Sequence, residues 1–233
     1  MSIADRVKGR ASEKPSSEDI VDLLDEIEKG GTESFKPARI LVEAAERHPK
    51  LVAKQSDRLA SVLSVPLPPL VRQQLYDVAL EIELSSPESL STIVDSAEDD
   101  LINGDATTRE YVYRILKIAT NEGINVGTSC LEALVSGIAV SPTDTPATVA
   151  MDAYVAIVTK QDTVGNEELA PLIDFVESDF PKVRSAAAEA LVRIINTTAI
   201  KPGTNTDGIR ITLENYDSDS LSGERIADAL HKL

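Results

Sequence analysis

The chain has no tryptophan, and its three phenylalanines and five tyrosines make aromatics only 3% of 233 residues. A core built without large rings must be filled by Ala, Val, Leu and Ile. Cysteine is almost absent as well. Cys130 alone excludes a disulfide framework, leaves no thiol partner for a zinc site and points to a reducing cytoplasm. Its expected role is a small buried residue on a helix. The two histidines, His48 and His231, lie far apart in sequence. His48 precedes Pro49 at an expected helix end, where an imidazole can cap the last carbonyls. No apolar run approaches the ~20 residues of a membrane-spanning helix, and residues 1–19 lack the apolar stretch of a secretory signal. There is no Gly-Lys-Ser/Thr phosphate loop and no G-x-G-x-x-G turn, so nucleotide binding has no motif behind it. Cys130 has no evident base to activate it as a nucleophile. The carboxylates at Glu98-Asp99-Asp100 and Glu167-Glu168 lack the spaced oxygens and glycine of a calcium loop. No metal, cofactor, small-molecule substrate or catalytic group is expected, and acidic runs read as solvated faces.

What is present in excess is negative charge. Asp and Glu total 39 against 23 Lys and Arg, a formal charge of −16. The excess is uneven. Residues 1–60 carry 11 basic and 12 acidic residues, whereas residues 61–233 carry 12 and 27. Such a charge favours solubility and destabilises through self-repulsion at low salt. Together with small aliphatics and few aromatics, it resembles proteins of a salt-filled cytoplasm. An ordinary acidic cytosolic protein explains it equally well, and a surface recognising a basic partner is a further explanation.

Hydrophobic residues make up 42% of the chain, well above the level of a disordered one. Residues 1–15, with Arg6, Lys8, Arg10 and Lys14, read as a flexible, weakly basic arm. From residue 16 to 233 the pattern is helical. Ser16-Ser17-Glu18-Asp19 is an N-cap cluster, followed by Ile20, Leu23, Leu24 and Ile27 at helical spacing and then by Gly30-Gly31. A second helix runs from near Thr32 to His48-Pro49. Further helices are expected over about 50–63, 69–84, 88–103, 106–121, 128–139, 146–160, 166–178, 181–197, 206–216 and 221–232, separated by Pro and Gly breakers. No segment has a partner at hairpin distance, so no strand pair is expected.

The helices pair, and the pairs repeat. One position of each second helix is followed by apolar residues three and six to seven places on: Arg39, Arg72, Arg109, Thr148, Arg184 and Gly223, spaced 33, 37, 39, 36 and 39 residues apart. Pairs at a nearly fixed period cannot bury their apolar stripes alone and must stack on neighbours. The run Ser178-Asp179-Phe180-Pro181-Lys182-Val183-Arg184-Ser185-Ala186-Ala187-Ala188-Glu189-Ala190-Leu191 resembles the signature of HEAT repeats, an armadillo-like family. Pro69-Leu70-Val71-Arg72 and Asp105-Ala106-Thr107-Thr108-Arg109 resemble it more weakly. The resemblance implies an all-α, right-handed α-α superhelix (a solenoid) of about six helical pairs. It also implies a ladder between repeats, formed by the aligned Arg and by Asp105, Asp144, Asp179 and Asp219.

Among the charges, one pattern stands apart. Arg47, Lys50, Lys54 and Arg58 recur at i, i+3, i+7 and i+11, with Arg39 on the preceding helix. Lys50, Lys54 and Arg58 would share one face of one helix. That face is either solvated or a docking strip for an acidic protein segment or a phosphate backbone. Tyr111 and Tyr113, beside Arg109 and Arg114, should divide between an inward and an exposed position.

The leading expectation is a cytoplasmic, non-catalytic scaffold or adaptor for a protein partner. The alternatives are a nucleic-acid-binding protein using the basic strip, and an accessory subunit of an enzyme complex.

Overall fold

The computed structural model describes residues 15–82, 87–127, 129–140, 144–216 and 223–233. The expected basic arm, apart from Pro15, lies outside the described residues, as do Asp219 and the side chain of Asp144. The chain divides into two compact units, residues 1–125 and 126–233.

In the first unit, helix α1 (Ser17–Glu28) starts at a reciprocal cap: the Ser16 hydroxyl accepts from the Asp19 N–H at 3.1 Å, and the Asp19 carboxylate accepts from the Ser16 N–H at 2.8 Å. It buries Ile20, Leu23, Leu24 and Ile27. The chain then reverses at Gly30 and Gly31, whose φ of 71° and 69° suit residues without a Cβ. After a 3-10 turn (Thr32–Ser34) comes α2 (Phe35–Arg47). A four-residue helix α3 (Pro49–Val52) and a second 3-10 turn (Ala53–Gln55) lead to α4 (Ser56–Leu63), α5 (Pro69–Glu81), α6 (Pro87–Asn103) and α7 (Ala106–Asn121).

These elements form two layers. The first helices of successive pairs, α1, α4 and α6, stack on one another, as do the second helices, α2, α5 and α7. The residues expected inside from the aligned positions are buried: Leu75, Val78 and Ala79 on α5, and Val112, Ile115 and Leu116 on α7. Val42 is half-buried. Tyr113 turns inward and Tyr111 remains half-exposed.

Polar bonds reinforce the stack at about one repeat of separation. Gln55 Nε2 donates to Ser17 Oγ at 2.8 Å, 38 residues away, and Gln73 Nε2 to Thr108 Oγ1 at 3.0 Å, 35 residues away. Gln73 also reaches Asp105, the α7 N-cap that accepts the Thr108 N–H at 2.8 Å. That N–H bond holds the Asp105 carboxyl below the usual carboxylate range.

The second unit follows the same plan. Its elements are α8 (Ser129–Val140), α9 (Asp144–Val158), strand β1 (Thr163–Val164), α10 (Asn166–Val176), α11 (Pro181–Thr197), strand β2 (Ala199–Ile200), α12 (Thr206–Glu214) and α13 (Gly223–Lys232). Second helices α9, α11 and α13 stack in one layer, and α10 packs on α11. Met151, Tyr154, Val155, Ala187, Ala190 and Leu191 are buried, and so is Cys130. The chain is an all-α solenoid, with six helical pairs among its described residues.

One expectation is corrected here. The two short strands pair in parallel, Thr163 with Ala199 and Val164 with Ile200, and the Lys201 N–H extends the ladder to the Val164 carbonyl at 2.7 Å. Each strand follows the second helix of its pair, so stacking one repeat on the next brings the two segments side by side. A search for partners at hairpin distance cannot find a pair separated by a whole repeat.

Candidate functional site

The basic residues singled out in the sequence do not form one helical face. Arg39 is exposed on α2, and Arg47 is the last residue of that helix. Lys50 lies on α3, Lys54 in the 3-10 turn and Arg58 on α4. The expectation of a single helix over 50–63 is therefore corrected. The backbone leaves α-geometry at Gln55, with φ −110° and ψ 20°, as the chain turns to lay α4 against α1. Gln55 bonds Ser17 at that turn.

Arg58 is committed elsewhere. Its guanidinium forks onto two carboxylates of α1, donating through Nη2 to Asp25 at 2.8 Å and through Nη1 to Glu28 at 3.1 Å. Hydrogen bonding to Glu28 and to Asp25 raises the Arg58 pKa, and the same Arg58 bond holds the Glu28 carboxyl below its ordinary value. Arg58 thus fastens the second helical pair to the first. Arg39, Arg47, Lys50 and Lys54 are exposed and form no ion pair among the described residues.

Two of the aligned arginines, Arg72 and Arg184, clamp turns. Arg72 Nη1 donates to the carbonyls of Leu63 at 2.9 Å and Val65 at 3.2 Å, closing the α4–α5 connection. Arg184 Nη1 does the same for the α10–α11 connection, reaching the Ser178 carbonyl at 2.7 Å. Arg72 also crosses to the next pair, where its Nε meets Asp100 Oδ2 at 2.6 Å. The ladder implied by the HEAT resemblance is not seen among the described residues: Arg72 meets Asp100 instead, Asp105 bonds Gln73, and Asp179 is exposed.

A groove of about 360 Å³ runs between the second helices α9 and α11. Its lining is mixed: Val149, Val155, Ala186 and Ala190 are apolar, and Asp152, Glu189, Lys182 and Arg193 bring charge of both signs. Glu189 meets Arg225 of the following pair at 3.2 Å, with both side chains about half-exposed. An exposed pair of this kind contributes ~0–1 kcal/mol, so Glu189 can exchange Arg225 for another cation at little cost. Sequence reasoning did not single out these acids, yet the repeat alignment marks them. Asp77, Asp152, Glu189 and Asp228 follow the aligned positions Arg72, Thr148, Arg184 and Gly223 by four or five residues. Asp152, Glu189 and Asp228 are exposed and Asp77 is half-exposed.

The titrating groups displaced from their ordinary values have structural causes. Burial pushes the Tyr76, Tyr113 and Tyr154 hydroxyls up, Asp100 adding to the effect at Tyr76 and Glu168 at Tyr154. Among the described residues, no three His, Cys, Asp or Glu side chains converge as a metal site would require, and no helix is long and apolar enough to cross a membrane.

The fold is that of a helical-repeat protein built from stacked helical pairs. A crystal structure of an engineered protein superposes with a TM-score of 0.63 at 18% identity, covering 92% of this chain and 96% of the other. A second engineered protein gives 0.60 at 18%, covering 92% and 98%. A designed armadillo repeat protein in complex with the peptide (KR)4 gives 0.59 at 13%, covering 90% and 97%. These likenesses are of fold. No family model matches the chain, and no curated protein matches it in sequence.

Proposed function

We propose that this chain is a non-catalytic interaction scaffold that holds a basic segment of a protein partner against its second-helix layer. The observation that carries the reading is the acid recurring at one place on the three second helices of the second unit, at Asp152, Glu189 and Asp228. Three carboxylates presented at a repeat spacing suit a chain with regularly placed Lys or Arg, and like charges in a wrong partner would be repelled. The designed armadillo repeat protein in complex with (KR)4 is a similar fold with a basic peptide bound. A reducing, salt-rich cytoplasm fits the lone buried Cys130 and the acidity.

The reading is tested by reversing Asp152 and Glu189 to Lys together and titrating a Lys-Arg repeat peptide. The double variant should bind about tenfold more weakly or worse, since two attractions become repulsions, with an unchanged circular dichroism spectrum. Equal affinity of variant and parent would overturn it.

A second reading, contact with an acidic segment or a nucleic-acid backbone, has Arg39, Arg47, Lys50 and Lys54 in its favour, with Arg58 at the edge of the strip occupied by Asp25 and Glu28. If it holds, a gel shift with duplex DNA should persist at moderate salt and vanish in Lys50→Glu/Lys54→Glu. A shift that survives this reversal, or never forms, sinks it.

A further inference from the structure

We infer that a cleft between α8 and α10 is a docking site for a basic amphipathic segment of a partner protein. In the first unit the first helices stack directly on one another, α1 on α4 and α4 on α6. In the second unit α8 packs on α9 and α10 on α11, and between α8 and α10 lies an open cleft of about 890 Å³. The layer that closes by helix-on-helix contact in the first unit is open at this step of the second.

The floor of this cleft is apolar and preformed. Leu131 and Val135 contribute from α8, the Pro171 ring from α10, and Tyr154 from α9 beneath them. Tyr154 is 1% exposed, and its hydroxyl already donates to the Glu168 carbonyl at 2.7 Å. The ring therefore offers the cleft an apolar face and no free donor.

The rim is acidic. Glu132 and Glu167 are exposed and form no ion pair among the described residues. Glu168 is held by the Gly165 N–H at 2.8 Å, with Lys201 Nζ 3.5 Å away. Among the described residues, no Lys or Arg lines the cleft. Pro171 sharpens this polarity. It has no N–H, so the Glu167 carbonyl one turn earlier lacks its i+4 helical donor and adds an acceptor beside its own carboxylate.

Charge complementarity selects the occupant. An acidic segment would be repelled by Glu132 and Glu167, and a purely basic one would leave the apolar floor wet. A segment with aliphatic side chains for the floor and Lys or Arg for the rim satisfies both. A trough bounded by two helices suits an amphipathic helix with apolar anchors at i, i+4 and i+7. This deepens the scaffold reading and rests on it, but assigns the contact to the opposite helix layer from the α9–α11 groove.

The test uses the full chain and a synthetic peptide of about fourteen residues with Leu at i, i+4 and i+7 spacing and Lys flanking them. A peptide of the same composition with the Leu spacing scrambled is the control. Titrations at about 0.1 M salt limit charge effects to a range of about 10 Å. The expected result is tenfold or greater weakening on scrambling the peptide, and a similar loss in Glu132→Lys/Glu167→Lys. Asp152→Lys/Glu189→Lys should bind this peptide as the parent does. All four side chains are exposed, so the variants should fold, which circular dichroism checks. If only the α9–α11 reversal weakens binding, the cleft assignment is overturned while the scaffold reading stands. If neither reversal matters, both fall.

Discussion

Replacing Asp100 with Ala is expected to lower the stability of the chain by about 3 kcal/mol or more, as when one partner of a buried ion pair is removed. Asp100 Oδ2 accepts from Arg72 Nε and from the Tyr76 hydroxyl, each at 2.6 Å. The Arg72 and Asp100 side chains are only 14% and 15% exposed, and Tyr76 is fully buried. Burial and the neighbouring carboxylate push the Tyr76 pKa well up, so the phenol remains a donor at any ordinary pH. Without Asp100, a guanidinium and a hydroxyl lose their shared acceptor where water has little access. The same contact joins α5 to α6, so the loss falls on the stacking of the second and third pairs. Urea melts of Asp100→Ala and Tyr76→Phe check this. The phenylalanine variant removes one donor and should cost about 1 kcal/mol. A loss below about 0.5 kcal/mol for Asp100→Ala would mean that this triad does not hold the repeats together.

Leu191→Ala should destabilise the second unit by about 2–5 kcal/mol. Leu191 is 0% exposed on α11, the helix that touches α9, α10 and α13. Its neighbours Ala187, Ala188 and Ala190 are also buried, and small side chains bring the helix backbones close. Methyl groups and backbone move little to fill a cavity, which favours the upper part of that range. Because contacts in a stacked array are mostly between neighbours, the melt should also become less cooperative than the parent's. A cost under about 0.5 kcal/mol would mean that the repeat register is wrong.

The repeat register was legible because its signal is local. An aligned polar residue followed by apolar positions at helical spacing marks the buried stripe of a second helix, and Leu75, Ile115, Tyr154 and Leu191 all lie inside. Cys130 was legible for a similar reason, as a small apolar side chain on a helix. The helix break at Gln55 was not legible. No Gly or Pro lies between residues 50 and 63, and the break comes from stacking α4 on α1 rather than from local propensity. Arg58 shows the same limit. Its partners Asp25 and Glu28 lie 33 and 30 residues earlier, so an apparently free cation was already spent. The parallel strand pair needed knowledge of which loops the stacking brings together. The α8–α10 cleft is a contact that fails to form, which local sequence does not encode.

The α9–α11 groove carries charge of both signs. Glu189 is already neutralised by Arg225, so binding there is an exchange of one cation for another. Exchange favours a partner presenting several cations in register, because each single replacement gains little.

The most direct measurement is a calorimetric titration of the full chain with a Lys-Arg octapeptide and with its Asp-Glu counterpart, repeated from low to molar salt, alongside thermal melts. The scaffold account predicts that only the basic peptide binds and that its affinity falls steadily as salt screens the carboxylates. No binding of the basic peptide even at low salt, with a melting temperature that climbs steeply towards molar salt, would contradict it and assign the acidity to solvation alone.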